Sequence, residues 1–159
     1  MEDSPPRYDA PFIARLLLPR LVGAGFDMQD RALARIGLTA RQALILLSCD
    51  LEEASTAVEL AELYGLEVSS ITRLVDRLEK KRLIERTRSR TDRRKTILSL
   101  TARGKAALKE AVRIATPNAI AMWKGVSEKE RKALAAIMNK VLKNLDQMGP
   151  LIRTISSEF

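Results

Sequence analysis

Histidine is absent from the chain, and cysteine occurs once, at Cys49. Without histidine there is no Ser-His-Asp or Cys-His catalysis and no imidazole ligand for a metal. A single cysteine excludes an intrachain disulfide and a Cys-x-x-Cys site. The sequence also lacks a Gly-rich phosphate loop, paired inward carboxylates and a metal-ligand cluster. It therefore predicts a protein that is not an enzyme and that uses no cofactor or metal.

Long hydrophobic runs are missing as well. The longest apolar stretch is far short of the roughly 20 residues that span a bilayer as a helix. The first twenty residues contain acids and prolines in place of an apolar run, which argues against a secretory signal. Together with the single cysteine, these features predict a cytoplasmic protein that does not contact a membrane.

The net charge of +8 is concentrated in one part of the chain. Residues 73–105 contain 13 basic and 4 acidic side chains, a net of +9, whereas the other 126 residues together carry −1. Such a block in an otherwise neutral chain is typical of a surface that binds a polyanion. The alternative is the solvated face of a basic helix, which charge runs often form.

Three capping boxes mark where helices begin. Residues 39–42, 56–59 and 127–130 each place Thr or Ser at the cap and Gln or Glu three residues later. Gly65 suits the left-handed residue that ends the second of these helices. The spacing of apolar residues predicts a further helix over about 68–82, with one apolar face.

The periodicity changes after that helix. Residues 83–87 and 96–100 are short and nearly alternating, and no apolar residue lies between them, which predicts a β-hairpin with a polar tip. Long helices are predicted at both ends of the chain. Pro19, Gly23 and Gly25 interrupt the first of them, so we expect it to be kinked or broken.

Two short helices joined by a tight turn and followed by a basic hairpin indicate a winged helix-turn-helix. The second helix of such a module enters the major groove of duplex DNA, where its N-terminal residues meet base edges. Arg73 can contact guanine with two hydrogen bonds, and Arg77, one turn further on, suits a phosphate. The other candidate base contacts are Ser69, Ser70 and Thr72.

The tip of the hairpin is the second predicted DNA contact. Arginine inserted into a narrow, electronegative minor groove is a recurring way to bind DNA. Asp92 is the one acid there, and its carboxylate can hold Arg94 and brace the loop, although a chance acid fits the spacing as well. The predicted contacts at the tip are Arg88, Arg90, Arg93, Arg94 and Lys95.

The sequence resembles the MarR family of transcription regulators, the multiple-antibiotic-resistance type. The strings that carry the resemblance occur in the family's order and spacing, and the flanking helices extend the match to most of the chain. They are residues 37–42 (GLTARQ), 59–61 (ELA), 71–81 (ITRLVDRLEKK), 92–94 (DRR) and 100–104 (LTARG).

Two positions depart from the family pattern. Arg82 stands where glycine usually ends the recognition helix, so either an arginine takes a costly positive φ or the helix runs on. Glu67 stands where Ser or Asp is the usual and better N-cap.

The resemblance implies a mainly α-helical fold with a small antiparallel β-hairpin. Residues 1–37 would form an N-terminal arm and dimerisation helix, 38–104 the winged helix-turn-helix, and 105–159 the C-terminal dimerisation helices. It further implies a homodimer on double-stranded DNA with a pseudo-palindromic site, most simply a repressor that a small lipophilic or aromatic anion releases. Packing of the terminal helices within one subunit is the alternative to dimerisation.

An effector pocket is expected where the dimerisation helices meet the DNA-binding region, although core packing is the better explanation for any one of the candidate residues. A rival signal is oxidation of Cys49, but nearby acids would raise its pKa and favour a small buried hydrophobe. A winged-helix module that contacts protein or RNA is the remaining alternative, because fold does not fix function. The candidate pocket residues are Phe26, Met28, Leu47, Cys49, Met122 and Trp123.

Overall fold

The computed structural model describes residues 10–52, 54–89 and 91–156, so the start of the predicted N-terminal arm lies outside the described residues. The chain forms two compact units, Met1–Ala119 and Ile120–Phe159. The main elements are α1 (Ala10–Phe12), α2 (Leu18–Leu33), α3 (Ala40–Asp50), α4 (Ala57–Tyr64), α5 (Val68–Lys80), β1 (Ile84–Arg88), β2 (Thr96–Leu100), α6 (Ala102–Met122) and α7 (Glu128–Ser156).

Helix α2 is continuous where the sequence predicted an interruption. A π-helical turn, Ile13–Leu17, precedes it, and the N–H of Leu18 donates to the carbonyl of Ile13. This wider turn makes room for the Pro19 ring, which would otherwise collide with the carbonyl four residues earlier. The two glycines lie inside the helix at the modest cost that glycine has there. The predicted break is thus reduced to one π-helical turn.

All three capping boxes are confirmed. The Thr39 hydroxyl accepts from the N–H of Gln42, and the Thr56 hydroxyl accepts from the N–H of Glu59, with the reciprocal bonds also present. The box over residues 127–130 closes in the same way at the start of α7. Gly65 ends α4 with φ of 60°, as predicted.

The predicted hairpin is present, and its first strand begins one residue later than expected. Strands β1 and β2 pair antiparallel, with Ile84 opposite Leu100 and Arg88 opposite Thr96. The N–H of Leu98 also donates to the carbonyl of Ser55 at 2.8 Å, which ties the hairpin to the α3–α4 connection. The fold class predicted from the sequence is therefore confirmed.

The core of the first unit fixes the orientation of α5. Ile71, Val75 and Leu78 lie on one face of this helix and are fully buried. They pack in one cluster with residues of α3, α4 and the hairpin, among them Leu46 and Leu60. Because the apolar face is buried in this way, the opposite face of α5 is presented to solvent.

The turn after α5 settles how the helix ends. Arg82 adopts φ of 57°, so the arginine takes the left-handed conformation and the helix does not run on. The N–H of Leu83 donates to the carbonyl of Leu78, and the Thr101 hydroxyl donates to the carbonyl of Arg82 at 2.7 Å. Gly104 lies so close to this turn that an added Cβ would be 1.9 Å from the Leu83 oxygen.

Within the described ranges, no single helix is long and apolar enough to cross a membrane. The segments Ile13–Ile36 and Ala40–Asp50 have the required length and composition only when taken together, and they are bent by 82° at their junction.

Candidate nucleic-acid interface

The solvent face of α5 carries the residues predicted to read bases. Ser69, Ser70, Arg73 and Arg77 are exposed, and Thr72 is half-buried. Arg73 and Arg77 are four residues apart and therefore share one face of the helix. The two guanidinium groups have no ion-pair partner within the described part of the chain.

Two hydrogen bonds at the first turn of α5 were not evident from the sequence. Glu67 provides no side-chain cap, as its residue type suggested, and its backbone carbonyl instead accepts from the N–H of Ser70 at 2.9 Å. The Thr72 hydroxyl donates to the carbonyl of Val68 at 2.8 Å. Thr72 therefore presents its methyl group and oxygen lone pairs to a ligand, rather than its proton.

The tip of the hairpin is a tight turn held by its own polar groups. The N–H of Ser89 donates to the carbonyl of Lys95 at 3.0 Å, and the N–H of Lys95 donates to the carbonyl of Asp92 at 2.9 Å. Asp92 Oδ1 accepts from the N–H of Arg94 at 3.0 Å. Its carboxylate thus holds the backbone of Arg94 and leaves the guanidinium free of that contact.

The basic side chains of the tip form a surface whose positive charge is not neutralised by the described residues. Arg88, Arg93, Arg94 and Lys95 are all exposed. In the described parts of the chain none of them forms an ion pair. Arg90, the remaining predicted contact, lies outside the described residues.

Two cations of the basic block bind other groups of the protein, and the sequence did not reveal these contacts. Arg86 on β1 forms ion pairs with Asp76 at 2.6 Å and Glu79 at 2.8 Å, both on α5. Lys81 Nζ donates to the Gly37 carbonyl and to Gln42 Oε1. The only sequence signal for the first contact was two acids three residues apart on one helix face.

A cavity of about 170 Å³ lies among α2, α3, α4 and α5 in the first unit. The Arg41 guanidinium stacks over the Phe26 ring, 4.9 Å from its centroid. The Tyr64 hydroxyl donates to the Leu44 carbonyl at 3.2 Å and shares a hydrogen bond with the Ser48 hydroxyl at 2.6 Å. The lining residues are Val22, Phe26, Arg41, Leu44, Ile45, Tyr64, Leu66, Ile71 and Leu74.

The predicted effector residues lie in several places. Phe26 lines the cavity just described, and Met28 lines a separate open depression beside α2. Leu47 and Cys49 pack against the hydrophobic core, and burial raises the pKa of the Cys49 thiol to about 11. Met122 and Trp123, the other two candidates, belong to the second unit.

Comparison with known proteins supports the arrangement of α5 and the hairpin. The MarR family profile matches residues 38–96. The transcriptional repressor MprA of Escherichia coli (strain K12) is 34% identical over 113 residues, or 71% of this chain, which spans 64% of the length of MprA. An HTH-type transcriptional regulator of Bacillus cereus (strain ZK / E33L) is 31% identical over 137 residues, covering 83% of this chain and 88% of the regulator.

A solved structure of a MarR protein has a similar fold. A cysteine-to-serine mutant of MarR from E. coli, complexed with operator DNA, superposes with a TM-score of 0.67 at 26% identity. The match covers 85% of this chain and 99% of that one. Proteins of this group regulate transcription and are not enzymes. The chain belongs to the MarR family of winged-helix transcription regulators.

Proposed function

We propose that this chain is a homodimeric repressor that binds a pseudo-palindromic site in double-stranded DNA and leaves it when a small lipophilic or aromatic anion binds. The observation that carries the proposal is the set of exposed basic side chains on α5 and the hairpin tip, which lack ion-pair partners within the described residues. Such charges favour a polyanion because its bound counterions are released.

Under this proposal the two surfaces have different tasks. Ser69, Ser70, Thr72 and Arg73 read base edges in the major groove, and Arg77 contacts a phosphate. Asp92 braces the tip through the N–H of Arg94. The basic residues of the tip approach the minor groove; these are Arg88, Arg90, Arg93, Arg94 and Lys95.

The repressor role is supported by the likeness to MprA, which is itself a transcriptional repressor. The DNA target is supported by the likeness to MarR, which was solved with operator DNA. Because its target is DNA, we place the action of the chain in the cytoplasm.

The homodimer is supported by apolar side chains left exposed at both ends of the chain. In the N-terminal helical region Leu21 and Val22 are more than half exposed, and on α7 Ile137 and Leu142 are too. Apolar surface of this kind is typical of an interface. We propose that residues 1–37 and 105–159 form the dimer contacts and residues 38–104 the DNA-binding domain, so that two recognition helices lie about 34 Å apart.

The oligomeric state has a direct test with a matched control. Ile137→Glu should convert the dimer to a monomer in sedimentation, because it introduces a charge into the proposed interface. Leu63→Glu, at a similarly exposed position on α4, should leave the dimer intact. A monomeric wild-type chain at micromolar concentration would contradict the proposal.

The cavity beside Phe26 is our candidate for the effector site. Its walls are largely apolar, and Arg41 at the Phe26 ring offers a cation for a carboxylate. A panel of aromatic acids should raise the melting temperature and weaken DNA binding, and Arg41→Met should reduce both effects. If no member changes either quantity, a switch of this chemical class is excluded.

Selection from random duplex DNA tests the function as a whole. It should return a pseudo-palindrome with half-sites about one helical turn apart. Unrelated selected sequences, or equal affinity for single-stranded RNA and duplex DNA, would favour a winged-helix module with another partner.

The thiol-oxidation alternative is disfavoured by the raised pKa of Cys49.

A further inference from the structure

Lys81 lies directly after the recognition helix α5, as its C-cap residue. Its ammonium group donates to the carbonyl of Gly37 and, at 3.1 Å, to Gln42 Oε1. Gly37 and Gln42 belong to the corner between α2 and α3. Lys81 therefore joins the C-terminal end of the recognition helix to a different part of the fold, 39 and 44 residues away in sequence.

The acceptors of Lys81 are themselves part of a hydrogen-bonded arrangement at that corner. Gln42 is 3% exposed, and its Oε1 also accepts from the N–H of Thr39, so it closes the capping box of α3. Gly37 takes φ of 68° to end the short helical turn that follows α2. Asp30 of α2 accepts from the N–H of Ala40 at 2.6 Å, which connects α2 to the same corner.

The neighbouring lysine provides a contrast. Lys80 is exposed like Lys81, but its ammonium group has no hydrogen-bond partner or ion pair within the described residues. The two lysines contribute the same charge to the basic block. Among the described contacts, the ammonium group of Lys81 binds other groups of the protein and that of Lys80 does not.

We propose that Lys81 is a positioning residue for sequence recognition, which fixes the C-terminal end of α5 against the α2–α3 corner and makes no DNA contact of its own. The inference rests on the proposed function as a DNA-binding regulator. Arg73 is eight residues before Lys81, about 12 Å along the helix axis. A tilt of α5 about its buried face would therefore displace the Arg73 guanidinium from the base it contacts.

The test uses Lys81→Met, which keeps the aliphatic stem and removes the donors. Affinity is measured for the selected palindrome and for a random-sequence duplex over a range of salt concentrations. We expect about a tenfold loss for the palindrome, the size of losing part of one bidentate base contact. Affinity for the random duplex should change less than about twofold, and the slope of log K against log salt should stay the same.

Three further variants separate positioning from charge. Lys80→Met removes the same charge and should preserve the ratio of specific to non-specific affinity. Arg77→Met should reduce the salt slope by about one, because a phosphate contact is lost. Lys81→Arg retains donors and should recover much of the specificity. Where Lys81→Met folds poorly by circular dichroism, Lys81→Ala replaces it and should show the same loss for the palindrome.

Two outcomes would overturn the inference alone. One is a lower salt slope together with weaker random-duplex binding in Lys81→Met, which would make Lys81 a phosphate contact. The other is an unchanged preference for the palindrome in Lys81→Met or, where that variant folds poorly, in Lys81→Ala. A wild-type chain that prefers no duplex would instead overturn the proposed function, and this inference with it.

Discussion

The Arg86 guanidinium on β1 donates to Asp76 Oδ1 on α5 at 2.6 Å, and the same group reaches Glu79 Oε2 at 2.8 Å. Asp76 and Glu79 are three residues apart, so one side chain of the hairpin contacts two positions on the recognition helix. The three side chains are 31–45% exposed, which limits each pair to about 0.5–1 kcal/mol. These two ion pairs, which we call the Arg86 bracket, join the hairpin to α5.

The Arg86 bracket predicts that removing one of its acids weakens binding to the selected palindrome, whereas charge alone predicts tighter binding. Asp76→Asn removes a negative charge from the segment that we propose faces DNA, which by charge alone should tighten all DNA binding. If the bracket orients the hairpin, the variant should bind random duplexes more tightly but the selected palindrome more weakly, by about threefold to tenfold. Both affinities are measured by fluorescence anisotropy.

Glu85→Gln is the matched control for this prediction. Glu85 is exposed, lies in the same basic block and forms no ion pair within the described residues. Its substitution should tighten both kinds of binding slightly. If Asp76→Asn behaves in the same way as Glu85→Gln, the bracket has no role in recognition.

The two surfaces that we propose contact DNA should differ in how their contribution to binding depends on DNA sequence and salt. Arg94→Ala at the hairpin tip should weaken binding to every duplex and reduce the salt slope by about one. Arg73→Ala on α5 should mainly relax the preference at particular bases, at about 1–3 kcal/mol per contact. Repeating the selection with each variant measures both effects, and interchanged results would contradict the assignment of the two surfaces.

Local signals explain why most of the fold could be predicted. Each capping box depends on hydrogen bonds within four residues, so Thr39, Thr56 and Ser127 located helix starts without any knowledge of tertiary structure. The hairpin followed from a change of apolar period between α5 and α6. The burial of one face of α5 followed from the spacing of Ile71, Val75 and Leu78.

Contacts between residues far apart in sequence could not be predicted in this way. Lys81 and Arg86 counted as free positive charges in the sequence, but the fold brings Gln42 and Asp76 to them. Leu47 and Cys49 were candidates for a pocket because of the family resemblance and their apolar character, and in the fold they pack against the core. Hydrophobicity predicts burial but does not distinguish a cavity wall from close packing.

Cys49 should be a poor redox sensor. Burial raises its pKa to about 11, so only about one thiol in ten thousand is ionised at pH 7. Alkylation by iodoacetamide should therefore be slow at pH 7 and rise with pH well beyond the point at which a free thiol levels off near pH 9. Because the folded pKa exceeds the unfolded value, the associated stability is complete below about pH 8 and declines toward pH 11.

The consequence for regulation can be measured with a Cys49→Ala variant. Peroxide should leave DNA binding unchanged in both the wild type and the variant. Release of DNA by peroxide in the wild type alone would show that the thiol is accessible as a signal, and the proposal of a ligand-released repressor would have to be replaced.

Gly104 should tolerate no side chain. A Cβ at this position would lie 1.9 Å from the Leu83 carbonyl oxygen, which is part of the backbone and cannot rotate away. Gly104→Ala should therefore lower the free energy of unfolding by about 3 kcal/mol. Gly23→Ala is the control, since no atom of the described residues beyond its own stretch of helix lies within 4 Å of its added Cβ, and it should be neutral or slightly stabilising. Equal urea midpoints for the two variants would contradict the predicted collision.

Arg82 should be a position where glycine improves the protein. Its φ of 57° is one that costs a non-glycine residue about 1–2 kcal/mol, and glycine adopts it without that cost. Glycine also loses more conformational entropy on folding, which offsets part of the gain. Arg82→Gly should therefore raise the free energy of unfolding by about 0.5–1 kcal/mol, measured by urea denaturation.

Arg82→Ala separates backbone strain from the effect of the side chain. Alanine keeps the strained φ but removes the guanidinium, which is exposed and has no ion pair in the described residues. It should give no gain in stability, and both variants should lose the same small amount of DNA affinity because they lose the same charge. If alanine stabilises as much as glycine, the cost at this position comes from repulsion among the basic side chains rather than from the backbone. The positive φ of Arg82 would then carry little backbone strain. The hydrogen bonds from the Thr101 hydroxyl and from the N–H of Leu83 would be what holds the turn.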